Sequence, residues 1–239
     1  MKDQVVLIVG GSGGIGQACA ELFSKAGAKI VLAARNREKA DQTAKTINES
    51  GGEAFAVDVE VTDLSSVSKM ADNVVKELGR IDVLINAFGT GLIQPLLDVN
   101  PKHVKEAVDT NVYGTILTTQ TVVRHMANQK SGKVIMYPGI LGKAVMKNSS
   151  VYSATKFAVT GFTKALVDEH RRSNIRFSLM YLGGVSTEFW ENPNIDMRVQ
   201  KDKMLTPEEV ARATYYACTQ PGNSVLNEVT IQPDSHQMV

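Results

Sequence analysis

Apolar and polar positions fall in two alternating rhythms along this chain. Val5–Val9 is a short apolar run that ends in glycines, as in a strand buried on both faces. Ile15, Cys19, Leu22, Phe23 and Ala26 then recur on one helical stripe, closed by Gly27. The alternation continues with a strand at Lys29–Ala34, a polar helix over 37–49 stopped by Ser50-Gly51-Gly52, and a strand at Ala54–Val61. Asp63 is placed to cap a helix carrying Val67, Met70, Val74 and Val75. Ile81–Ile85 predicts a fourth strand, and Asn100-Pro101 opens a long helix running through His125. Gly132–Tyr137, a helix over 152–170, Ile175–Leu182, a helix started by Thr206-Pro207-Glu208-Glu209, and Val225–Ile231 complete the pattern. Seven strands interleaved with six helices predict an α/β fold, a Rossmann-type doubly wound parallel sheet with helices on both faces. No linker or repeat divides residues 1–239, so a single dinucleotide-binding domain is expected. The departure from the rhythm is 183–205, an insert with Pro193 beside Phe189, Trp190, Ile195 and Met197, which reads as a substrate loop or lid.

Composition narrows the partners. Lys and Arg number 26 against 25 Asp and Glu, a net charge of +1, which leaves no electrostatic footprint for nucleic acid or an anionic membrane. Hydrophobic residues make up 43% of the 239, too many for a disordered tail, and no apolar run is long enough to span a membrane. The start is too short in apolar residues to read as a signal peptide. Cys19 and Cys218 form no disulfide framework, and His103, His125, His170 and His236 are scattered without ligand spacing, so no metal site is expected. A reducing, cytoplasmic setting fits best.

Three features carry chemistry. Gly10-Gly11-Ser12-Gly13-Gly14-Ile15-Gly16 follows the first strand and opens the first helix. Glycines there let the backbone approach a pyrophosphate, and the helix start supplies N–H donors, so Gly10, Ser12, Gly14, Ile15 and Gly16 are candidate dinucleotide-binding residues. The second strand ends Ala33-Ala34-Arg35, where an NAD-selective fold would place a carboxylate roughly 20 residues after the glycines. With no carboxylate to repel it and Arg35 to pair with it, a 2′-phosphate is favoured, which points to NADP(H). Tyr152 and Lys156 stand one turn apart on a helix, and a lysine cation near a phenol stabilises phenolate, making an acid/base of the tyrosine.

In this order, over nearly the whole chain, these residues resemble the short-chain dehydrogenase/reductase family in its single-domain, NADP-preferring branch. Gly10-x-x-x-Gly14-x-Gly16 resembles its glycine motif, with Val9 in place of threonine, and Tyr152-Ser153-Ala154-Thr155-Lys156 its YxxxK. Asn86-Ala87-Phe88-Gly89 resembles the segment after the fourth strand, Asn111 the helix asparagine, and Leu182-Gly183-Gly184-Val185-Ser186-Thr187 the PGxVxT segment. The resemblance implies that Asn86, Ala87, Gly89 and Gly183 flank the cofactor, that Val185 and Thr187 hold the nicotinamide carboxamide, and that Glu60-Val61 contact adenine. A slip of register would give Asp58-Val59 instead. It implies catalytic roles for Tyr152, Lys156 and Asn111, the last holding a water that connects Lys156 to solvent. Tyr152 and Lys156 would also touch the cofactor. The family's catalytic serine falls on Gly139, with Tyr137, Asn148, Ser149 and Ser150 as nearby substitutes.

The expected function is an NADP(H)-dependent oxidoreductase moving hydride between nicotinamide and a small carbonyl or alcohol substrate, with Gly139, Phe189 and Trp190 on the substrate side. The alternative is an NADP(H)-binding protein with little or no dehydrogenase activity, a redox sensor or scaffold, because the serine is missing. The resemblance further implies a homotetramer, or a homodimer, built through the helices near 101–126 and 152–170.

Overall fold

The computed structural model describes residues 1–221 and 224–238. Seven strands form one sheet in the order β3-β2-β1-β4-β5-β6-β7, with every neighbouring pair parallel. They are β1 (Val5–Val9), β2 (Lys29–Ala34), β3 (Glu53–Asp58), β4 (Val83–Asn86), β5 (Gly132–Met136), β6 (Ile175–Leu182) and β7 (Glu228–Ile231). The helices are α1 (Gly14–Lys25), α2 (Arg37–Glu49), α3 (Leu64–Leu78), α4 (Pro101–Val108), α5 (Thr115–Asn128), α6 (Ser150–Glu169) and α7 (Pro207–Cys218).

β1 shows why the central runs are continuously apolar. Val5, Leu7 and Val9 enter the core beneath α3, α5 and α6, whereas Val6 and Ile8 enter the core beneath α1, α2 and α7. All five are at most 1% exposed. Each side chain of this kind contributes about 1.5–3 kcal/mol by leaving water, so a polar residue on either face would be costly. Helix starts follow the capping chemistry. The Asp63 carboxylate accepts the Ser65 N–H, Asn100 accepts the Lys102 N–H with Pro101 next in line, and Thr206 and Glu209 close a reciprocal capping box.

Three expectations are corrected. β3 stops at Asp58 instead of reaching Val61, because Glu60 and Asp63 form a turn in which the Asp63 N–H donates to the Glu60 carbonyl. β7 is confined to Glu228–Ile231, although Val225 was expected to begin it. The long helix expected from Pro101 through His125 is interrupted by a π-helical segment, Asp109–Gly114, which separates α4 from α5. Such wide turns shift side chains out of the α register, and this one contains Asn111.

The strand order reverses at β1, whose two neighbours β2 and β4 lead off in opposite directions across the sheet. Ligands of parallel α/β sheets bind at the carboxyl ends of the strands on either side of such a switch. Among the described residues no helix is long and apolar enough to cross a membrane.

Candidate active site

A cleft of about 1460 Å³ opens at this carboxyl edge, larger than a typical single-ligand pocket. Its floor is the turn between β1 and α1. Gly10 has φ +91°, and a Cβ there would lie 2.6 Å from the Ala87 backbone. A Cβ on Gly16 would lie 2.5 Å from the Gly10 carbonyl oxygen. The turn thus folds onto the end of β4 and onto itself with no room for side chains. Gly10, Ser12, Gly14 and Ile15 line the cleft, while Gly16 lies behind them and lets the turn close. A backbone cradle at the start of a 12-residue helix suits a phosphate, so the residues present fit a dinucleotide.

At the end of β2, Arg35 is exposed and lines the cleft. The neighbouring cations are engaged elsewhere. Arg37 pairs with Asp58 at 3.0 Å and Asp41 at 3.3 Å, and these carboxylates raise its pKa. Lys39 reaches 149 residues along the chain to Glu188, both carboxylate oxygens at 2.6 Å. That exposed pair joins α2 to the insert after β6, and pairs of this kind contribute about 0–1 kcal/mol.

The other half of the cleft is built by β4, β5, α6 and the insert. Ala87 and Gly89 line it after β4, and Gly183, Val185 and Thr187 line it after β6. Tyr152 and Lys156 project from α6. The Lys156 Nζ donates to the Tyr137 carbonyl at 3.1 Å and lies 5.4 Å from the Tyr152 ring centre. Burial pushes the Tyr152 phenol up and lowers Lys156 to about 8. Both shifts have desolvation as their cause, and the lysine faces the ring and a carbonyl rather than the phenol oxygen.

Asn111 does not line the cleft. It is 2% exposed, and its amide ties two walls together. Its Oδ1 accepts the Thr90 N–H at 2.8 Å, and its Nδ2 donates to the Thr90 carbonyl at 2.9 Å and to Thr155 Oγ1 at 3.1 Å. Asn86 is likewise buried behind the cleft, where its Nδ2 donates to Thr119 Oγ1 at 3.0 Å. Of the expected adenine pair, Val61 lines the cleft together with Val59. The Glu60 carboxylate turns away and accepts the backbone N–H and the hydroxyl of Thr62. It therefore serves the turn that ends β3.

Gly139 lines the cleft with φ +68° and ψ 174°, a conformation largely reserved for glycine. A Cβ there would meet only the Leu182 carbonyl oxygen, at 3.7 Å, so backbone angle rather than space restricts the position. None of the four suggested substitutes offers its side chain to the cleft. The Tyr137 hydroxyl is bonded to Thr214 at 2.7 Å and approached by the Cys19 sulfur at 3.7 Å, on the α1 and α7 side of the sheet. Ser149 is bonded to Ser153 at 2.8 Å, and Asn148, Ser149 and Ser150 do not line the cleft.

The insert folds over the substrate end. Phe189 lies 5.8 Å from the Tyr152 ring and meets Trp190 edge-on at 5.2 Å. The Trp190 indole donates to the Val185 carbonyl at 2.8 Å, and Asn192 fastens the insert to Thr90 and Gly91. The sequence pattern missed Pro233, Ser235, His236 and Met238, which line the cleft from the segment following β7. No local motif marks them, and their one signal is that they follow a strand ending at the same edge.

A seven-stranded parallel sheet with a glycine cradle at its switch point is an architecture on which α/β proteins bind dinucleotides. The short chain dehydrogenase family matches residues 4–198, and this chain belongs to it. An uncharacterized oxidoreductase of Staphylococcus aureus strain USA300 is 33% identical over 233 residues, covering 98% of each chain. One from Staphylococcus epidermidis is 32% identical over the same length and coverage. Among solved structures, a metagenomic short-chain oxidoreductase in complex with NADP is 26% identical, with a TM-score of 0.85 over 98% of both chains. The alcohol dehydrogenase of Thermococcus sibiricus, complexed with 5-hydroxy-NADP, shares the fold with a TM-score of 0.90 at 22% identity over 99% of both chains.

Proposed function

We propose that this oxidoreductase is an NADP(H)-dependent carbonyl reductase or alcohol dehydrogenase in which Tyr152 is the acid/base. The observation that carries the reading is the meeting of Tyr152 and Lys156 with the glycine cradle and Arg35 in one cleft. The NADP complex of the metagenomic relative supports the choice of cofactor. Gly10, Ser12, Gly14 and Ile15 would hold the pyrophosphate, Arg35 the 2′-phosphate, and Val185 and Thr187 the nicotinamide end. When bound, the nicotinamide supplies or accepts the hydride at the substrate carbon.

In the reduction direction Tyr152 donates its phenolic proton to the carbonyl oxygen as the carbon gains hydride. A C–H and an O–H bond form and the carbonyl becomes an alcohol, the hydride coming from the reduced nicotinamide that the cleft would hold. Burial raises the Tyr152 pKa, so the phenol holds its proton until the substrate oxygen gains charge. Lys156 supplies the nearby cation that tolerates the phenolate left behind. Asn111 positions these groups by pinning the segment after β4 to α6. Phe189 and the insert exclude water from the reacting end. A homotetramer or homodimer assembled through α4, α5 and α6, in the cytoplasm, completes the proposal.

Gly139 favours a second reading, an NADP(H)-binding protein of little turnover, because none of Tyr137, Asn148, Ser149 and Ser150 offers its side chain to the cleft in place of the serine hydroxyl. Loss of one such donor costs about 100- to 1000-fold in rate. Titrating the protein with NADPH and NADH by fluorescence, then following cofactor oxidation with a panel of aldehydes and ketones, separates the two. The reductase reading expects tighter binding of NADPH and its substrate-dependent oxidation. Binding with no oxidation by any carbonyl supports the second reading, and preference for NADH contradicts the role of Arg35.

A further inference from the structure

Beyond β7 the chain turns back over the cleft. The Gln232 side chain clasps the Met238 backbone at two points: its Oε1 accepts the Met238 N–H at 2.7 Å, and its Nε2 donates to the Met238 carbonyl at 3.0 Å. One amide thus pairs with a peptide as a neighbouring strand would, and residues 233–237 become a closed loop. Two further contacts seat this loop on the site. The Ser235 hydroxyl donates to the Lys203 carbonyl of the insert at 3.2 Å, and the Pro233 ring packs on Gly183 so closely that a Cβ there would lie 2.7 Å from it.

Met238 is half-buried against the core cluster that also receives Tyr152 and Met146, and all three line the cleft. Phe189 and Trp190 line the same cleft, so thioethers and aromatic rings are both among its walls. Methionine is unbranched and polarizable, so it conforms to apolar groups of differing shape. A carbonyl compound with one small and one bulky apolar substituent fits such walls.

We infer that residues 233–238 form the third wall of the substrate pocket, and that Met238, positioned by the Gln232 clasp, selects carbonyl compounds bearing a bulky apolar substituent. The inference rests on the reductase reading of the same cleft. Trp190, the only tryptophan of the chain, lines that cleft and reports on binding without turnover. The protein saturated with NADP⁺ is titrated with acetone and with cyclohexyl methyl ketone, and the ratio of their Kd values is read from Trp190 fluorescence. Met238→Ala should reduce the preference for the larger ketone about tenfold, and Gln232→Ala about fivefold, whereas Met238→Leu keeps it within about threefold. NADP⁺ affinity should change less than twofold in all three. In turnover, Gln232→Ala should raise KM for cyclohexyl methyl ketone while kcat stays within twofold, a split that general loosening of the fold would not give.

An unchanged ratio in both alanine variants overturns the inference, as does a wild-type complex that binds neither ketone. If the wild type shows the selectivity but oxidises no NADPH with either ketone, the reductase reading fails while the wall stands.

Discussion

Two corners of the same sheet edge depend on glycine for different reasons. At the β1–α1 turn the constraint is space: Cβ atoms on Gly10 and Gly16 would sit 2.6 and 2.5 Å from backbone atoms. After β5 the constraint is angle: Gly139 at φ +68° has open surroundings, with a single atom 3.7 Å from where a Cβ would lie. At Gly10 and Gly16 the first corner is confined by backbone. The second is open, and the insert and the segment after β7 line the same cleft. The glycine turn of the cleft is thus restricted by contact, and the corner at Gly139 by its backbone angle.

Breaking the cofactor corner should have the largest effect. Gly16→Ala forces backbone atoms apart, so we expect a loss of about 3 kcal/mol or more in stability and no measurable NADPH binding, read by denaturant unfolding and fluorescence titration. An alanine tolerated at full stability would show the turn to be less confined than its distances imply.

On the catalytic side, Lys156→Met should lower turnover at least about 100-fold while stabilising the protein by about 3 kcal/mol at pH 7. The sign follows from burial. Lys156 titrates near 8 in the folded protein against an ordinary 10.5, so its charged form is the one disfavoured by folding. Between those values the unfolded chain holds a proton that the folded chain has released, and wild-type stability rises with pH. The advantage of methionine should therefore shrink from about pH 8 upward and vanish above about pH 10.5. An advantage that is constant with pH would point to packing instead.

Arg35→Ala should lower the preference for NADPH over NADH by about tenfold, through loss of one charge-assisted contact, with little effect on stability. Gly139→Ser separates space from backbone angle. Space alone would allow the serine to restore the missing hydroxyl, but the backbone angle opposes it. We expect about 1–3 kcal/mol of destabilisation and less than a threefold change in turnover. A gain of a hundredfold would show that the corner after β5 relaxes to the family's geometry.

Much of this architecture is legible in the chain because buried parallel strands leave continuous apolar runs, and β1, β2 and β6 have the bounds the pattern predicts. The break at Asp109–Gly114 is not legible, since a π turn changes which carbonyl accepts and leaves the hydrophobic spacing nearly intact. In the cleft, Gly10, Gly14, Arg35, Tyr152 and Lys156, legible from their spacing, and Thr187, implied by the family resemblance, all line it. Spacing is blind to the direction of a side chain, so Asn86, Glu60 and Asn111 stand near the site while their polar atoms serve the scaffold. Met238 was invisible for a third reason. Its place depends on a clasp to Gln232 and on where β7 ends, both products of the finished fold.

The proton role proposed for Tyr152, in a cleft that Gly139 lines, is open to a direct measurement. The direct measurement is single-turnover reduction of a ketone by protein preloaded with NADPH, comparing wild type with Tyr152→Phe. Hydride transfer should be slowed about 100- to 10,000-fold in the variant, with NADPH affinity changed less than threefold. Equal rates in the two proteins would contradict it.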